Sequence, residues 1–138
     1  MLEAAAKAPG IVFVPPHFDM YDKISKRMFG LCNRYSCYVE PFGPDECWLD
    51  CTETVRLFGS GEDIANGLRA NVKEELGITA SAGVSFTKMF AKLGSDMKKP
   101  DATTVITREN FREKVWPLDV GELCGVGGKT AEKLRRIN

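Results

Sequence analysis

Three groups of residues have types and spacings that could do chemistry. Asp45 and Glu46 are adjacent carboxylates directly after Gly43-Pro44, at the head of a strand-like run. Two hard oxygen donors on a rigid turn suit Mg2+, which accepts one or two carboxylates, keeps waters and completes its shell with substrate phosphates. Strand side chains alternate between faces, but a turn or bulge here lets both acids reach one ion. The second group is Lys88, Lys92, Lys98 and Lys99, with Asp96 as the only acid from Thr87 to Pro100. Lys88 and Lys92 are four apart and share a helix face. Lys98 and Lys99 precede the break at Pro100, where an ammonium can project over a cleft and neutralise a triphosphate. The alternative is that these cations simply favour the C-terminal end of the helix dipole. The third group is Leu123-Cys-Gly-Val-Gly127, the hhGxG form of a helix-hairpin-helix turn. Its glycines let backbone amides approach a phosphate, and the following helix offers its N-terminus to the same anion. From Gly127 to Asn138, Lys129, Lys133, Arg135 and Arg136 stand against Glu132 alone. Gly125, Gly127, Lys129 and Lys88 are therefore the candidate DNA-binding residues. Asp50, on the same strand face as Trp48, reads as a structural acid outside the site.

These groups need elements to carry them. Residues 1–8 read as the end of a helix broken by Pro9-Gly10, followed by a short strand over Ile11–Val14 that Pro15-Pro16 stops. Apolar spacing at Tyr21, Ile24, Met28 and Leu31 predicts an amphipathic helix from Phe18 to about Arg34, with Asp19 capping its start. Runs at 38–42 and 46–51, separated by Gly43-Pro44-Asp45, predict a hairpin. A helix over 62–76 puts Ile64, Ala65, Leu68, Val72 and Leu76 on one face and stops at Gly77. A strand over 78–84, a helix over 85–98, a strand over 103–107 and a helix over 108–116 follow, and the glycine loop leads into a last helix. Strands and helices alternate irregularly, so the class expected is α+β, a sheet covered by helices on one face.

Composition bounds what this can be. The chain has 138 residues, 43% of them apolar, and 19 basic side chains balance 19 acidic ones. At this length a fold can bury roughly two thirds of its unfolded surface without metal or disulfides. Zero net charge removes the simplest case for nucleic-acid binding, so that case rests on where the charges sit. Five cysteines with no CxxC pair and a single histidine, His17, argue against structural zinc and for free thiols, read as small buried hydrophobes in a reducing cytoplasm. No apolar stretch approaches the roughly 20 residues that span a bilayer, so a soluble, cytoplasmic protein without a membrane partner is expected.

The runs Gly43-Pro-Asp-Glu-Cys-Trp-Leu-Asp50, Ala80 to Pro100 and Gly125-Val-Gly-Gly-Lys-Thr-Ala-Glu-Lys-Leu134 strongly resemble the Y-family translesion DNA polymerases, as do Val14–Tyr21 and Tyr35-Ser36. The resemblance implies a ferredoxin-like palm sheet followed by a thumb that begins with a helix-hairpin-helix. It implies the remnant of a fingers-to-palm helix over 1–8, palm over 9–106 and early thumb over 107–138. By motif, Asp45 and Glu46 take the metal-binding Asp-Glu positions, Lys99 in Asp-Met-x-Lys-Pro takes the triphosphate lysine, and Gly125 and Gly127 take the loop that holds the duplex. Mg2+, primer-template DNA and a deoxynucleoside triphosphate follow as cofactor and partners, with two-metal nucleotidyl transfer as the reaction.

The sequence departs from the pattern with Gly43-Pro44 in place of Ser-Ile and Thr87 in place of Asn. On the resemblance, the family's first aspartate-bearing strand, its steric gate and fingers, the rest of its thumb and its little finger are expected to be absent from these 138 residues. The isolated chain is therefore expected to be a fragment that catalyses poorly, and a homodimer through surface left open by truncation is a further expectation. Two other readings stand beside it. One is a non-catalytic DNA-binding or regulatory module acting through the 125–136 segment. The other is a stand-alone two-metal enzyme, which needs a third carboxylate near Asp45 and Glu46, with Glu40 and Asp50 as the places to look.

Overall fold

The computed structural model describes residues 2–137. Helix α1 (Leu2–Lys7) is a short turn carrying a Glu3–Lys7 ion pair at 2.7 Å, and it ends at Pro9-Gly10. The strand expected over Ile11–Val14 does not form. Pro15 and Pro16 offer no N–H, no neighbouring strand pairs with this run, and Val12 and Val14 lie about four-fifths exposed. Helix α2 (Phe18–Cys32) follows His17. Asp19 sits in its first turn, where the dipole favours an acid, but no side-chain cap bond forms at this end, contrary to the capping role expected of it. Only Leu31 and Cys32 of α2 are buried.

The hairpin forms as expected. β1 (Tyr38–Pro41) pairs antiparallel with β2 (Cys47–Asp50), with Glu40 opposite Trp48. Gly43, at φ +94°, makes the turn possible. The Phe42 N–H donates to the Glu46 carbonyl at 2.8 Å, so Glu46 is backbone-anchored just outside the strand. The buried Ser36 hydroxyl bridges the Asp50 carbonyl at 2.5 Å and the Tyr38 N–H at 3.0 Å, tying the open end of the hairpin to the exit of α2.

After the one-turn α3 (Val55–Phe58) comes α4 (Gly61–Leu76). Its start is a capping box: the Asp63 N–H donates to Ser60 Oγ, and the Ser60 N–H donates to the Asp63 carboxylate. Gly77, left-handed at φ +68°, closes it. β3 (Ala82–Ser85) and β4 (Thr103–Ile106) pair in parallel, joined through α5 (Lys88–Met97). The ladder begins at Ala82 and not at Ile78, because β4 is only four residues long and offers Ile78–Ser81 no partner. Helix α5 starts at Lys88 and not at Ser85, because Thr87 is the N-cap and accepts from the Phe90 N–H at 3.2 Å.

The strands therefore make two ladders, one antiparallel and one parallel, within the mixed α+β class expected. Helices α4 and α5 both pack on the parallel pair. On one side of the parallel pair, α4 docks through Arg69, which donates to the Ala80 carbonyl, Thr103 Oγ1 and Asp101. On the other side lie Gly83, Thr104 and Ile106, and there α5 packs. A Cβ on Gly83 would overlap the Ala91 carbonyl and sit 2.6 Å from the Ser95 nitrogen, so only glycine permits this approach. The buried apolar residues are Leu31 and Cys32 of α2, Ile64, Ala65 and Val72 of α4, Leu93 of α5, Ile106 of β4, and Ala131 near the C-terminus.

Helix α6 (Phe111–Val115) begins three residues later than its apolar spacing suggests, because the Asn110 side chain folds back to accept from the Thr107 N–H at 2.8 Å. Phe86, Phe90, Phe111 and Trp116 form an aromatic cluster that holds α6 against α5, with centroids 4.9 to 5.8 Å apart along the chain of contacts. A 3-10 turn (Val120–Glu122) and α7 (Gly128–Arg135) complete the described chain. All five cysteines are free; Cys32 is buried with its sulfur 3.6 Å from that of Cys47, but Cys37 is exposed, against the uniformly buried role expected.

Candidate nucleotidyl-transfer site and nucleic-acid interface

Helix α5 brings the hairpin acids and the Lys99 segment together. One face of the hairpin carries Glu40, Glu46 and Trp48, and it meets the lysines of α5. Lys88 pairs with Glu40 and lies over the Trp48 ring, 5.4 Å from its centroid, while the Trp48 indole N–H donates to the Lys88 carbonyl at 3.2 Å. One turn later, Lys92 donates to Glu46 Oε1 at 3.0 Å and to Asp96 Oδ2 at 2.9 Å. Asp96 uses its other oxygen for Lys99, at 2.7 Å. An alternating chain of charge, Glu46–Lys92–Asp96–Lys99, thus joins two of the residues expected in the site. Lys92, one of the α5 lysines singled out for chemistry, and Asp96, the acid among them, had no role assigned from sequence; the signal for the link is Asp96 standing at i+4 from Lys92 and i−3 from Lys99.

Burial and pairing act on these groups in opposite directions. Burial works against the charge of Lys92, but Asp96 and Glu46 outweigh it and hold its pKa above the ordinary lysine value. Burial likewise opposes ionisation of Asp96, and Lys92 and Lys99 overcome it and hold its carboxyl below the usual range. Asp45 is exposed beside Glu46 in the turn. Two carboxylates fit an ion such as Mg2+ that keeps most of its shell for water and phosphate oxygens, but they do not form a dedicated cage. Among the described residues no cluster of three or more metal-ligating side chains occurs. The places to look for a third carboxylate are taken: Glu40 is bound to Lys88, and Asp50 accepts from the Thr52 N–H at 3.0 Å and hydroxyl at 2.6 Å, which holds its carboxyl below the usual range.

The glycine loop lies apart from this network. Gly125 has φ +84°, a conformation costly for any side chain, and the Val126 N–H closes the turn onto the Leu123 carbonyl at 2.9 Å. Gly127 is the N-cap of α7 and supplies no side-chain oxygen, so the first amides of the helix remain donors without a side-chain cap. The basic excess read from the sequence is smaller in space. Arg135 binds Asp119 at 2.5 Å and Arg136 binds Glu132 at 2.5 Å. Among the described residues Lys129 and Lys133, both exposed, have no carboxylate partner. The Arg135 guanidinium, with the Gly121 N–H, lowers the pKa of Asp119 to about 2.

No helix among the described residues is long and apolar enough to cross a membrane. Residues 1–96 match the impB/mucB/samB family, and residues 108–138 match the IMS family HHH motif. The chain is 52% identical over 135 residues to a DNA polymerase IV of Acetivibrio thermocellus, covering 98% of this chain and 34% of that protein. It is 42% identical over 137 residues to a DNA polymerase IV of Ralstonia nicotianae, covering 99% of this chain and 38% of that one. The chain thus spans little more than a third of these relatives. Among solved structures, DinB from Sulfolobus solfataricus superposes with a TM-score of 0.87 at 29% identity, over 99% of this chain and 40% of that one. A Y-family DNA polymerase chimera does so with a TM-score of 0.85 at 29% identity, over 99% and 40%. With its family model matched across the hairpin and α5, and the HHH motif across α6 and α7, the chain belongs to the impB/mucB/samB family of Y-family polymerases.

Proposed function

We propose that this chain is the palm and early thumb of a template-directed DNA polymerase that copies damaged templates, with residues 1–8 leading in, 9–106 as palm and 107–138 opening the thumb. The observation that most supports this reading is the Glu46–Lys92–Asp96–Lys99 chain, which sets a metal-type carboxylate and a triphosphate-type ammonium in one site. Asp45 and Glu46 would hold Mg2+, which would supply activation of a primer 3′-hydroxyl and charge neutralisation for a pyrophosphate leaving group. Lys99, exposed at the end of α5, binds and orients the triphosphate of the incoming deoxynucleotide. Gly125, Gly127 and the α7 amides grip the primer-template backbone, with Lys129 as an added cation and Lys88 contacting the DNA beside the hairpin.

Primer extension with Mg2+ on an undamaged and a lesion-bearing template tests this. In the protein that carries this chain, Asp45→Ala and Glu46→Ala abolish synthesis while circular dichroism stays unchanged; retained synthesis overturns the assignment. The 138 residues alone extend primers poorly, since Asp45 and Glu46 are few ligands for two ions, and robust synthesis by them would refute that part. Self-association is the last element of the reading: exposed Phe13, Phe18, Met20 and Tyr21 offer an apolar surface to a second copy. Sedimentation at rising concentration should show a dimer.

A further inference from the structure

We propose that Lys92 is a positioning residue that competes with a divalent cation for Glu46, and that Asp96 sets the strength of that competition. This rests on reading Asp45 and Glu46 as the metal-binding pair. The side chain of Lys92 is 17% exposed, whereas those of Lys88 and Lys99, on the same element or at its end, are 59% and 56% exposed. Burying a lysine costs side-chain entropy and hydration, so its placement between two carboxylates is specified by the fold and not incidental. Its bond to Glu46 spans 46 positions of sequence and ties α5 to the turn that carries the acids.

The charges determine the consequence. Lys92 occupies Oε1 of Glu46, and a divalent ion that binds Glu46 must approach within a few ångströms of that ammonium. Asp96 draws the ammonium the other way, while its second oxygen engages Lys99. Removing the charge of Lys92 frees Glu46 for the ion. Removing the charge of Asp96 leaves Lys92 to Glu46 alone and makes entry harder. Two partners of one ion pair therefore act on metal affinity with opposite signs. A merely structural pair would act with one sign, because either change breaks the same bond.

Mn2+ binding to the 138-residue chain, followed by electron paramagnetic resonance at low ionic strength, reads this directly. Lys92→Met should tighten Mn2+ roughly fivefold and Asp96→Asn should weaken it by about as much, with Lys92→Arg within about twofold of the parent. Lys92→Gln, which keeps a donor for Glu46 without the charge, should also tighten it and serves if Lys92→Met does not fold. Unchanged or weaker binding by folded Lys92→Gln overturns the inference. The controls are Asp45→Asn and Glu46→Gln. If both abolish Mn2+ binding and Lys92 variants do not tighten it, the competition alone is wrong. If neither alters it, or the parent binds no Mn2+, the reading of the acid pair falls and the inference falls with it.

Discussion

Between the hairpin and α5, charged side chains face one another across distant segments, and Lys92 is largely withdrawn from water. In the segment from Asp119 to Arg135 the pattern is reversed. There Arg135 is spent on Asp119, clamping the 3-10 turn to α7, while the groups left for a ligand are backbone amides and two exposed lysines. The first region places charges of opposite sign at fixed distances, an arrangement that would suit the ion and triphosphate of the proposed function. The second presents a tight glycine turn with exposed lysines beside it, an arrangement that would suit the repeating phosphate backbone of the proposed function.

The largest way to break the comparison is Gly83→Ala. A Cβ there meets α5 backbone, so the helix must move off β3, and we expect a loss of roughly 2–3 kcal/mol in urea denaturation together with loss of the Glu46–Lys92 contact. An unchanged midpoint would show that α5 is not held where its lysines can act. Gly125→Ala strains a left-handed position at about 1–2 kcal/mol and should weaken duplex binding while leaving Mn2+ binding untouched. Coupled loss of both would mean that the two regions are one.

Replacing Lys129 and Lys133 together by Gln should lower duplex affinity about tenfold at low salt and reduce the slope of log K against log salt by about 2. Acid titration gives the smallest effect. Asp119 has its pKa lowered to about 2, so the stability it contributes is present above its unfolded value near 4 and is lost as pH falls from roughly 4 towards 2. The melting temperature of Asp119→Asn should vary less than that of the parent across this window. Equal profiles would remove the Asp119–Arg135 clamp from the account.

Much of this was legible in the sequence because it is local. The hairpin turn, the 3.6-residue spacing of α4 and its glycine stop, and the glycine turn before α7 each depend on residues within a few positions of one another. The run at Ile11–Val14 has strand-forming residues, yet no strand forms, since a strand requires a neighbour that local sequence does not supply. The basic excess after Gly127 is smaller in space than along the chain, because Asp119, 16 positions upstream, takes Arg135.

By itself, then, the sequence determined which residues are chemically able to serve: Asp45, Glu46, Lys99, and the amides around Gly125 and Gly127. Only the tertiary structure decided which of them act together. It does so because α5 can lie close enough to Gly83 for Lys92 to reach Glu46, 46 positions away, whereas the links from Lys92 to Asp96 and from Asp96 to Lys99 are local, four and three residues apart. Coulomb interactions fall with separation in space and take no account of separation along the chain.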